Sequence, residues 1–432
     1  MTNPAMHTDL YEITMLDALI REGKHREPAV FEVFARRLSP GFRYGVVAGI
    51  DRLLVQITDF SFAGDAQYLR EITPALSWDT LMYLRDFRFT GEITAYREGS
   101  LYFPYSPILT VSGEIGQCIL LETLILSVLN HDSAIATKAA RMVSVAQGRP
   151  IIEMGSRRTH EEAAVAAARA AYLVGFTATS NMAAGAEYNV PVTGTAAHAF
   201  TLAHESELEA FKAQIKAQGV GTTFLVDTYD VGTGIENAIQ ACAEAGGTPG
   251  AVRIDSGDLA GNARKARRLL DAAGCTSTKI VVTSDLDEHV MKDLKDAPID
   301  GYGVGTQLVS TPPAGMVYKL VEINGRPVAK KSKDKISVGG RKYAMRAYGK
   351  RGEIVGEFTC SNPEGNYSVP NIEMSKAVCP QEAVMEEGMI LTRPSLKQIR
   401  KFHQTEFETL PKSEQTVWSG EHGPFLTVEH IG

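Results

Sequence analysis

The chain has 432 residues, enough for about three domains of ordinary size and at least one large hydrophobic core. Its 44% hydrophobic and 22% charged residues are typical of a globular protein and exclude an intrinsically disordered chain. The 44 Lys and Arg residues against 51 Asp and Glu residues leave a net charge of −7, which argues against sequence-independent nucleic-acid binding, so a polyanionic ligand must meet a local basic site.

The cysteines and the N-terminal segment bear on the cellular compartment. The five cysteines are scattered without a C-x-x-C pair, which indicates neither a disulfide framework nor a zinc site, and we expect free, buried thiols. The first residues lack a basic flank followed by an apolar core, and no stretch reaches the roughly 18 apolar residues of a membrane span. We therefore expect a cytoplasmic protein with neither a membrane nor a nucleic-acid partner.

Residues 1–148 predict a mixed α+β domain that ends in a linking helix. A Thr/Asp cap and a closing glycine favour a first helix over 8–23, and a long alanine-bearing apolar stretch predicts the linking helix over 117–147. Between them, alternating or apolar runs bounded by Gly and Pro predict strands at 29–37, 91–103 and 107–115.

Residues 149–315 alternate short strands with helices, a pattern that builds parallel sheets. The strand cores are predicted at 150–154, 176–180, 190–194, 223–227, 251–255, 279–284 and 301–305, and helices at 161–174, 205–217, 233–245, 258–273 and 287–296. This spacing favours a β/α barrel or a doubly wound sheet.

Residues 316–432 return to β-like runs. They include the charged stretch KKSKDKISVGGRK and a helix near PSLKQIRKFHQTEF. We expect this part to complete the barrel and to return to the N-terminal domain.

Residues able to handle phosphate, sugar or metal follow nearly every predicted central strand. The segments are GSRR (155–158), SN (180–181), GTAAH (194–198), DTYD (227–230), DSGD (255–258), SDLD (284–287) and GVGT (303–306). Because the carboxyl ends of barrel strands form one face, these segments predict a single anion-binding, metal-using pocket.

Each segment also has a plain structural interpretation. Arg157 has a guanidinium suited to phosphate, but it also suits a surface ion pair. Paired aspartates such as Asp227 and Asp255 suit Mg²⁺ or ribose hydroxyls, whereas Asp258 favours a helix cap. The glycines of GYGVGT suit a phosphate or a tight turn, and His198 suits a nucleophile or a structural histidine.

Eight segments, taken together and in order, resemble nicotinate phosphoribosyltransferases. They are TDLYEITM (8–15), RFTGEITA (88–95), EMGSRR (153–158), TSNMAAG (179–185), GTAAHAF (194–200), VDTYD (226–230), RIDSGDL (253–259) and GVGTQLV (303–309). The resemblance implies an irregular β/α barrel of the type II phosphoribosyltransferase kind with an N-terminal mixed domain, working as a homodimer with shared active sites.

The resemblance also implies the reaction and its cofactors. Nicotinate and 5-phosphoribosyl 1-diphosphate would give nicotinate mononucleotide and diphosphate, the first step of NAD synthesis from nicotinate, with Mg²⁺ as cofactor and ATP hydrolysed as co-substrate. The barrel phosphate sites and phosphohistidine chemistry agree with this reaction, because cationic donors stabilise departing diphosphate and imidazole can carry a phosphoryl group.

Site residues follow from the same resemblance. It implies a histidine phosphorylated by ATP at His198, catalytic contacts at Arg253, Asp255 and Asp230, and a metal site at Asp227 and Asp255. It implies substrate binding by Tyr11 (from a neighbouring subunit), Met154, Arg157, Ser180, Thr195, Gly303, Gly305 and Thr306.

Two positions depart from the family pattern, and rival functions remain open. Met154 stands where the family usually has an aromatic residue against the pyridine ring, and His160 stands where it usually has glutamine. The alternatives are transfer to nicotinamide or another pyridine base, a sugar-phosphate barrel lyase, and a catalytically inactive nucleotide-binding regulator.

Overall fold

The chain forms two compact units. The computed structural model describes residues 3–330, 338–365, 367, 369, 372–417 and 423–431, so most of the predicted KKSKDKISVGGRK stretch lies outside the described residues. One unit comprises residues 1–137 and 312–432, and the other comprises residues 138–311. The boundaries predicted from the sequence, at 148/149 and 315/316, stay a prediction.

The helices and strands fall into three parts in chain order. The first part contains a 3-10 helix at Pro4–His7, α1 Leu10–Arg21, β1 Pro28–Ala35, β2 Gly45–Val46, α2 Ile50–Thr58, α3 Ala66–Ile72, α4 Trp78–Arg85, β3 Glu92–Tyr96, β4 Leu101–Tyr102, β5 Leu109–Glu114, α5 Ile115–Ile119 and α6 Glu122–Val145. The central part contains β6 Ile151–Glu153, α7 Glu161–Val174, β7 Ala178–Thr179, α8 Met182–Tyr188, α9 His198–Leu202, α10 Glu207–Gln218, β8 Thr223–Leu225, α11 Val231–Glu244, β9 Ala251–Ile254, α12 Leu259–Ala272, β10 Lys279–Val282, α13 Glu288–Asp293, β11 Gly301–Val304 and α14 Thr306–Val309. The last part contains β12 Met316–Ile323, β13 Arg326–Pro327, β14 Tyr343–Tyr348, β15 Ile354–Cys360, β16 Lys376–Val378, β17 Gln381–Glu386, β18 Met389–Ile390, α15 Leu396–Glu408 and β19 Glu429–Ile431.

The first unit is built on a seven-stranded antiparallel sheet in the order β13-β12-β1-β5-β3-β17-β18. Strand β1 is buried at every residue after its first, which explains its apolar composition. Its one acidic residue, Glu32, is ion-paired with Lys342 at 2.8 Å, so the buried charge is neutralised. The described strands after Met316 pair with β1, with β3 or with one another, and not with the central parallel strands that we expected them to complete.

The second unit contains a six-stranded, entirely parallel sheet in the order β7-β6-β11-β10-β9-β8. Helix α7 packs with most of its alanines buried, since small side chains let a helix approach closely and alanine favours the helical state. The α/β class and the alternation of strands and helices are therefore confirmed. The described hydrogen bonds leave this sheet open at β7 and β8, and its closure into a barrel stays a prediction.

Three predicted elements differ in the structure. The run 91–103 is divided into β3 and β4, which belong to different sheets, because Gly99 turns the chain at a φ of +93°. The segment 190–194 forms only an isolated parallel bridge from Val192 to Thr179, since Pro191 has no N–H to donate. The linking helix is interrupted near Leu120, giving α5 and α6, and α2 to α4 lie where we predicted no element.

The cysteines and the helices agree with two further expectations. All five cysteines are free, and four of them are buried. None of the helices within the described residues combines the length and the apolar character needed to cross a lipid bilayer.

A buried ion-pair network ties α15 to the strands of the first unit. Arg346 on β14 is 1% exposed and donates to Glu357 on β15 at 2.8 Å, to Glu406 on α15, and to the carbonyl of Leu101 at 2.6 Å. Tyr96 also donates to Glu357, at 2.8 Å. Because no polar group at this centre faces water, each member depends on its partners.

We predict that Arg346→Ala destabilises the protein by about 3–5 kcal/mol, because two buried carboxylates lose their cation. Urea unfolding followed by circular dichroism measures the change. Arg351→Ala, at a side chain that is 91% exposed, is the control and should change stability by less than about 0.5 kcal/mol. A loss below about 1 kcal/mol in Arg346→Ala would contradict the assigned role of the network.

Candidate functional site

The parallel sheet brings the predicted site residues of the second unit to one edge. All six strands run in the same direction, so their carboxyl ends lie side by side. In sheet order, the following predicted residues lie in or directly after the strands: Ser180 after β7, Met154 and Arg157 after β6, Gly303, Gly305 and Thr306 at β11, Arg253 and Asp255 at β9, and Asp227 and Asp230 after β8. His198 and Thr195 lie in the same unit, and Tyr11 lies in the other.

A buried carboxylate organises the turn after β6. Glu153 is fully buried and accepts hydrogen bonds from the amide of Gly155 and, at 2.5 Å, from the hydroxyl of Thr179, the last residue of β7. Burial raises its pKa, although both hydrogen bonds act in the opposite direction. We did not single out Glu153 from the sequence, where the signal was an acid at the end of an otherwise apolar strand.

Two glycines at this edge allow close packing. A Cβ atom at Gly155 would lie 2.4 Å from Val309 Cγ1, and one at Gly303 would lie 2.5 Å from Thr283 Cγ2 and 2.9 Å from Met154 Sδ. The side chain of Met154 therefore covers Gly303, and its amide donates to the carbonyl of Val304 at 2.7 Å. The next residues, Gly305 and Thr306, form the start of the short helix α14.

The segment after β7 is fixed to the turn after β6. The amide of Ser180 donates to the carbonyl of Glu153 at 2.9 Å, which leaves the Ser180 side chain exposed. Asn181 donates to the hydroxyl of Ser156 at 3.0 Å and accepts from the amide of Ala184 at 2.9 Å, capping α8.

Two guanidinium groups create the basic part of the site. Arg253 donates to the hydroxyl of Thr195 at 2.6 Å, and its Nε is buried without a hydrogen-bond partner among the described residues. Burial lowers the pKa of Arg253, and the positive charge of the exposed Arg157 acts in the same direction. The carboxylates of Asp255 and Asp227 act in the opposite direction and raise this pKa. A partly buried guanidinium whose Nε lacks a partner is suited to bind an anion.

Asp227 links β8, β9 and His198. Its Oδ2 accepts from the amide of Asp255 at 2.8 Å and from the hydroxyl of Ser256 at 2.7 Å. Its Oδ1 is buried without a hydrogen bond and lies 3.9 Å from Nε2 of His198. The Nδ1 atom of His198 lies 3.1 Å from the hydroxyl of Thr228, and the ring is 42% exposed, so a ligand can reach it.

Asp255 is oriented by the strand beside it. The hydroxyl of Thr283, directly after β10, donates to Asp255 Oδ1. The next residue, Ser284, has a φ of +113°, a backbone conformation that side-chain-bearing residues rarely adopt. Such a conformation costs about 1–3 kcal/mol and is concentrated at functional sites. Sequence reasoning did not find this strain, since nothing in the letters SDLD shows it.

Asp230 lies at the start of α11. Its Oδ1 accepts from the amide of Thr233 at 2.9 Å and so caps α11, and its Oδ2 lies 3.7 Å from Lys265 Nζ. These hydrogen bonds and the cation lower its pKa. Asp258 likewise caps α12, as we predicted. The structure gives Asp230 a capping function, and its contact with ribose stays a prediction.

The carboxylates at this edge fit Mg²⁺. Asp227 Oδ1 is a buried carboxylate oxygen that lacks a hydrogen-bond donor, which is the kind of ligand Mg²⁺ prefers. Within the described ranges, no group of three or more His, Cys, Asp or Glu side chains is placed to hold a metal. A Mg²⁺ ion here would therefore use one or two carboxylates together with water and substrate phosphates, as is common for this ion.

Tyr11 lies on α1 of the first unit with 46% of its surface exposed. Partial burial and the nearby carboxylates, Glu122 foremost, raise its pKa to about 12, so the hydroxyl stays protonated at neutral pH. The adjacent Glu12 is buried and accepts from the amide of Thr123 at 2.9 Å, while its Oε2 has no partner among the described residues. Burial raises the pKa of Glu12 to about 7.

Comparison with known proteins decides the family. Residues 6–130 match the nicotinate phosphoribosyltransferase (NAPRTase) N-terminal domain, and residues 150–348 match the nicotinate phosphoribosyltransferase (NAPRTase) family. A nicotinate phosphoribosyltransferase of Mycobacterium tuberculosis is 56% identical over 424 residues, which cover 96% of this chain and 89% of that protein. The chain belongs to the nicotinate phosphoribosyltransferase family. A relative from Bacillus subtilis is 41% identical over 79% of this chain and 73% of its own length.

The solved structures agree with this membership. The human nicotinic acid phosphoribosyltransferase has a TM-score of 0.83 and 26% identity, and the alignment covers 97% of each chain. The resemblance stated from the motifs is confirmed, and the protein is an enzyme of nicotinate phosphoribosyl transfer in NAD synthesis. Nicotinate phosphoribosyltransferases act on small molecules, which suits a site lined by two arginines and short polar loops.

We predict that Glu12→Gln removes a pH dependence of stability from this nicotinate phosphoribosyltransferase. Because folding raises the pKa of Glu12 from 4.5 to about 7, its contribution is complete below pH 4.5 and is lost as the pH rises through 7. The unfolding free energy of the wild type should fall relative to Glu12→Gln by about 3 kcal/mol between pH 4.5 and 7.5.

Urea unfolding at a series of pH values measures this difference. Glu92→Gln, at an exposed position on β3, is the matched control and should track the wild type. If the unfolding free energies of the wild type and Glu12→Gln change in parallel with pH over this range, Glu12 does not bind the extra proton.

Proposed function

We propose that the carboxyl edge of the parallel sheet binds 5-phosphoribosyl 1-diphosphate and that His198 couples its reaction with nicotinate to ATP hydrolysis. The observation that carries this proposal is that the partly buried Arg253, hydrogen bonded to neutral Thr195, shares this edge with the Asp227 and Asp255 carboxylates. Cations and carboxylates on one edge match a substrate that carries both phosphates and a sugar.

The charges of the site fit the charges that develop in the reaction. Breaking the bond between ribose C1 and diphosphate leaves positive charge on the sugar and negative charge on the departing group. Arg157 and Arg253 stabilise the negative charge, and Asp255 faces the sugar. Gly303, Gly305 and Thr306 receive the 5′-phosphate through backbone amides.

Asp227 and Asp255 are the residues that we propose to hold Mg²⁺. A bound Mg²⁺ ion supplies positive charge against the diphosphate oxygens. The support is the buried, unbonded Oδ1 of Asp227, which has no other cation within hydrogen-bonding distance among the described residues. Asp230 contributes to this region by capping the first turn of α11.

His198 accepts the γ-phosphoryl group of ATP in the proposed coupling. The Thr228 hydroxyl can donate to Nδ1, which leaves the proton on Nε2 facing Asp227. When ATP binds, the Thr228 hydroxyl releases Nδ1, whose lone pair then attacks the phosphorus; ADP leaves, and later hydrolysis of the phosphohistidine releases inorganic phosphate. The carboxylate of Asp227 stabilises the positive charge that the ring gains during the attack.

The base site and the assembly complete the proposal. Met154 contacts the pyridine ring through its sulfur. Ser180 and Asn181 present neutral side chains to the ring substituent. An acidic side chain at this place would favour a carboxamide, so the neutral pair favours the carboxylate of nicotinate. We propose a cytoplasmic homodimer in which the exposed Tyr11 of one subunit reaches the base site of its partner.

The decisive experiment incubates the protein with 5-phosphoribosyl 1-diphosphate, Mg²⁺ and either nicotinate or nicotinamide, with and without ATP. We expect nicotinate mononucleotide as the product, formed in higher yield with ATP. A product from nicotinamide alone would replace the proposed base, and product from neither base would contradict the proposal. Arg253→Gln should lower kcat/KM for ribosyl diphosphate by at least tenfold, since it removes a partly buried cation from the anion site.

We predict that His198→Ala abolishes the coupled hydrolysis of ATP while some ATP-independent transfer to nicotinate remains. Release of inorganic phosphate during turnover measures the hydrolysis, and acid-labile labelling by γ-phosphate-labelled ATP measures the phosphohistidine. His204→Ala is the control, because His204 is a partly exposed histidine just after α9 whose Nδ1 lies 2.8 Å from the carbonyl of Phe200 and not beside Asp227. Unchanged ATP hydrolysis in His198→Ala would remove His198 from this function.

A further inference from the structure

Thr283 occupies the middle of the candidate site. It directly follows β10, which lies between β9 and β11 in the parallel sheet, and it is 4% exposed. Its amide continues the sheet by donating to the carbonyl of Ile254 on β9 at 2.9 Å. Its side chain therefore lies between the Asp255 end of β9 and the glycine loop of β11.

The two branches of the Thr283 side chain contact different parts of the site. The hydroxyl donates to Asp255 Oδ1. The methyl group fills the space over Gly303, where a Cβ atom would lie only 2.5 Å from Thr283 Cγ2. One β-branched residue thus touches both the carboxylate assigned to ribose and the loop assigned to the 5′-phosphate. Its stiff χ1 angle fixes the two contacts relative to each other.

The backbone after Thr283 is held in place from its far side. Ser284 keeps its φ of +113°, and its carbonyl accepts from the amide of Leu286 at 2.8 Å. Leu286 is 1% exposed, and Glu288 at the start of α13 is buried and ion-paired with Arg141 at 2.9 Å. An unfavourable conformation persists only where its surroundings fix it, and these contacts provide that restraint.

We propose that Thr283 is a positioning residue for sugar-phosphate binding, which orients Asp255 through its hydroxyl while its methyl group packs over Gly303. This inference rests on the proposed function, because Asp255 and Gly303 have their assigned contacts only if the edge binds ribosyl diphosphate. Thr283 itself does not touch the reacting atoms, and its effect passes through Asp255.

Two substitutions separate the branches of the side chain. Thr283→Val keeps the shape and removes the hydroxyl, whereas Thr283→Ser keeps the hydroxyl and removes the methyl group. We expect Thr283→Val to lower kcat/KM for 5-phosphoribosyl 1-diphosphate about 10- to 100-fold, the value of a hydrogen bond to a charged group, with the KM for nicotinate unchanged. Thr283→Ser should stay within about threefold of the wild type, because it restores that hydrogen bond.

A matched control lies at the other end of the same strand. Thr278, directly before β10, is 1% exposed and donates to the carbonyl of Pro249 at 2.6 Å. Thr278→Val also removes one buried threonine hydroxyl, so it reproduces any general loss of stability. We expect Thr278→Val to leave kcat/KM unchanged, and thermal unfolding of both valine variants compares their stability directly.

A double-mutant cycle with Asp255→Asn tests the route of the effect. If Thr283 acts through Asp255, the double variant should be no slower than Asp255→Asn alone. Multiplied losses, a Thr283→Val variant within threefold of the wild type, or a Thr283→Ser variant as impaired as Thr283→Val would each overturn the proposal. Should Thr283→Val fail to fold, Thr283→Ala also lacks the hydroxyl and enters the same cycle.

The same measurements distinguish a failure of the inference about Thr283 from a failure of the proposed function. An impaired Asp255→Asn together with a normal Thr283→Val overturns the function of Thr283 and leaves the proposed function standing. A normal Asp255→Asn overturns the assignment of Asp255 to ribose, and the inference about Thr283 with it.

Discussion

The candidate site depends on one constraint, the parallel direction of six adjacent strands. That direction places the strand ends together, and carboxylates then join three of the neighbouring pairs of ends. Glu153 joins the end of β6 to Thr179 at the end of β7, Asp227 joins β8 to the backbone after β9, and Asp255 joins β9 to Thr283 after β10. The acidic residues therefore have two functions, since they fix the loops and also give the edge its negative charge.

Much of the central fold could be predicted because its elements follow local rules. The helix predicted at 161–174 has these same bounds in the structure, since its alanine-rich sequence begins and ends with clear boundary residues. The prediction of a strand at 190–194 was wrong. The segment looks apolar, but Pro191 has no N–H to donate and Val192 stays exposed, so no regular strand pairing forms. Propensity describes a segment by itself, whereas pairing depends on neighbours that come from elsewhere in the chain.

The site was only partly predictable for the same reason. The motifs that contain Arg253, Asp255 and His198 could be recognised in the sequence, and the structure brings Asp227 close to both His198 and Asp255. The order β6-β11-β10-β9 is not visible in the chain order, so the position of Thr283 between two other loops required the structure. The φ of Ser284 is likewise a product of tertiary packing, because the residue types around it do not demand it.

In the proposed base site, the contact between Met154 and Gly303 bears on how a pyridine ring would be recognised. An unbranched thioether lying on a glycine gives one wall of the site a surface that adapts to a ring by rotating single bonds, with no backbone displacement. With the base placed as proposed, a flexible wall of this kind discriminates little between flat molecules of different outline. Discrimination among pyridines must then come from the polar groups at the rim, where a mismatched ring substituent leaves a donor or a charge unsatisfied.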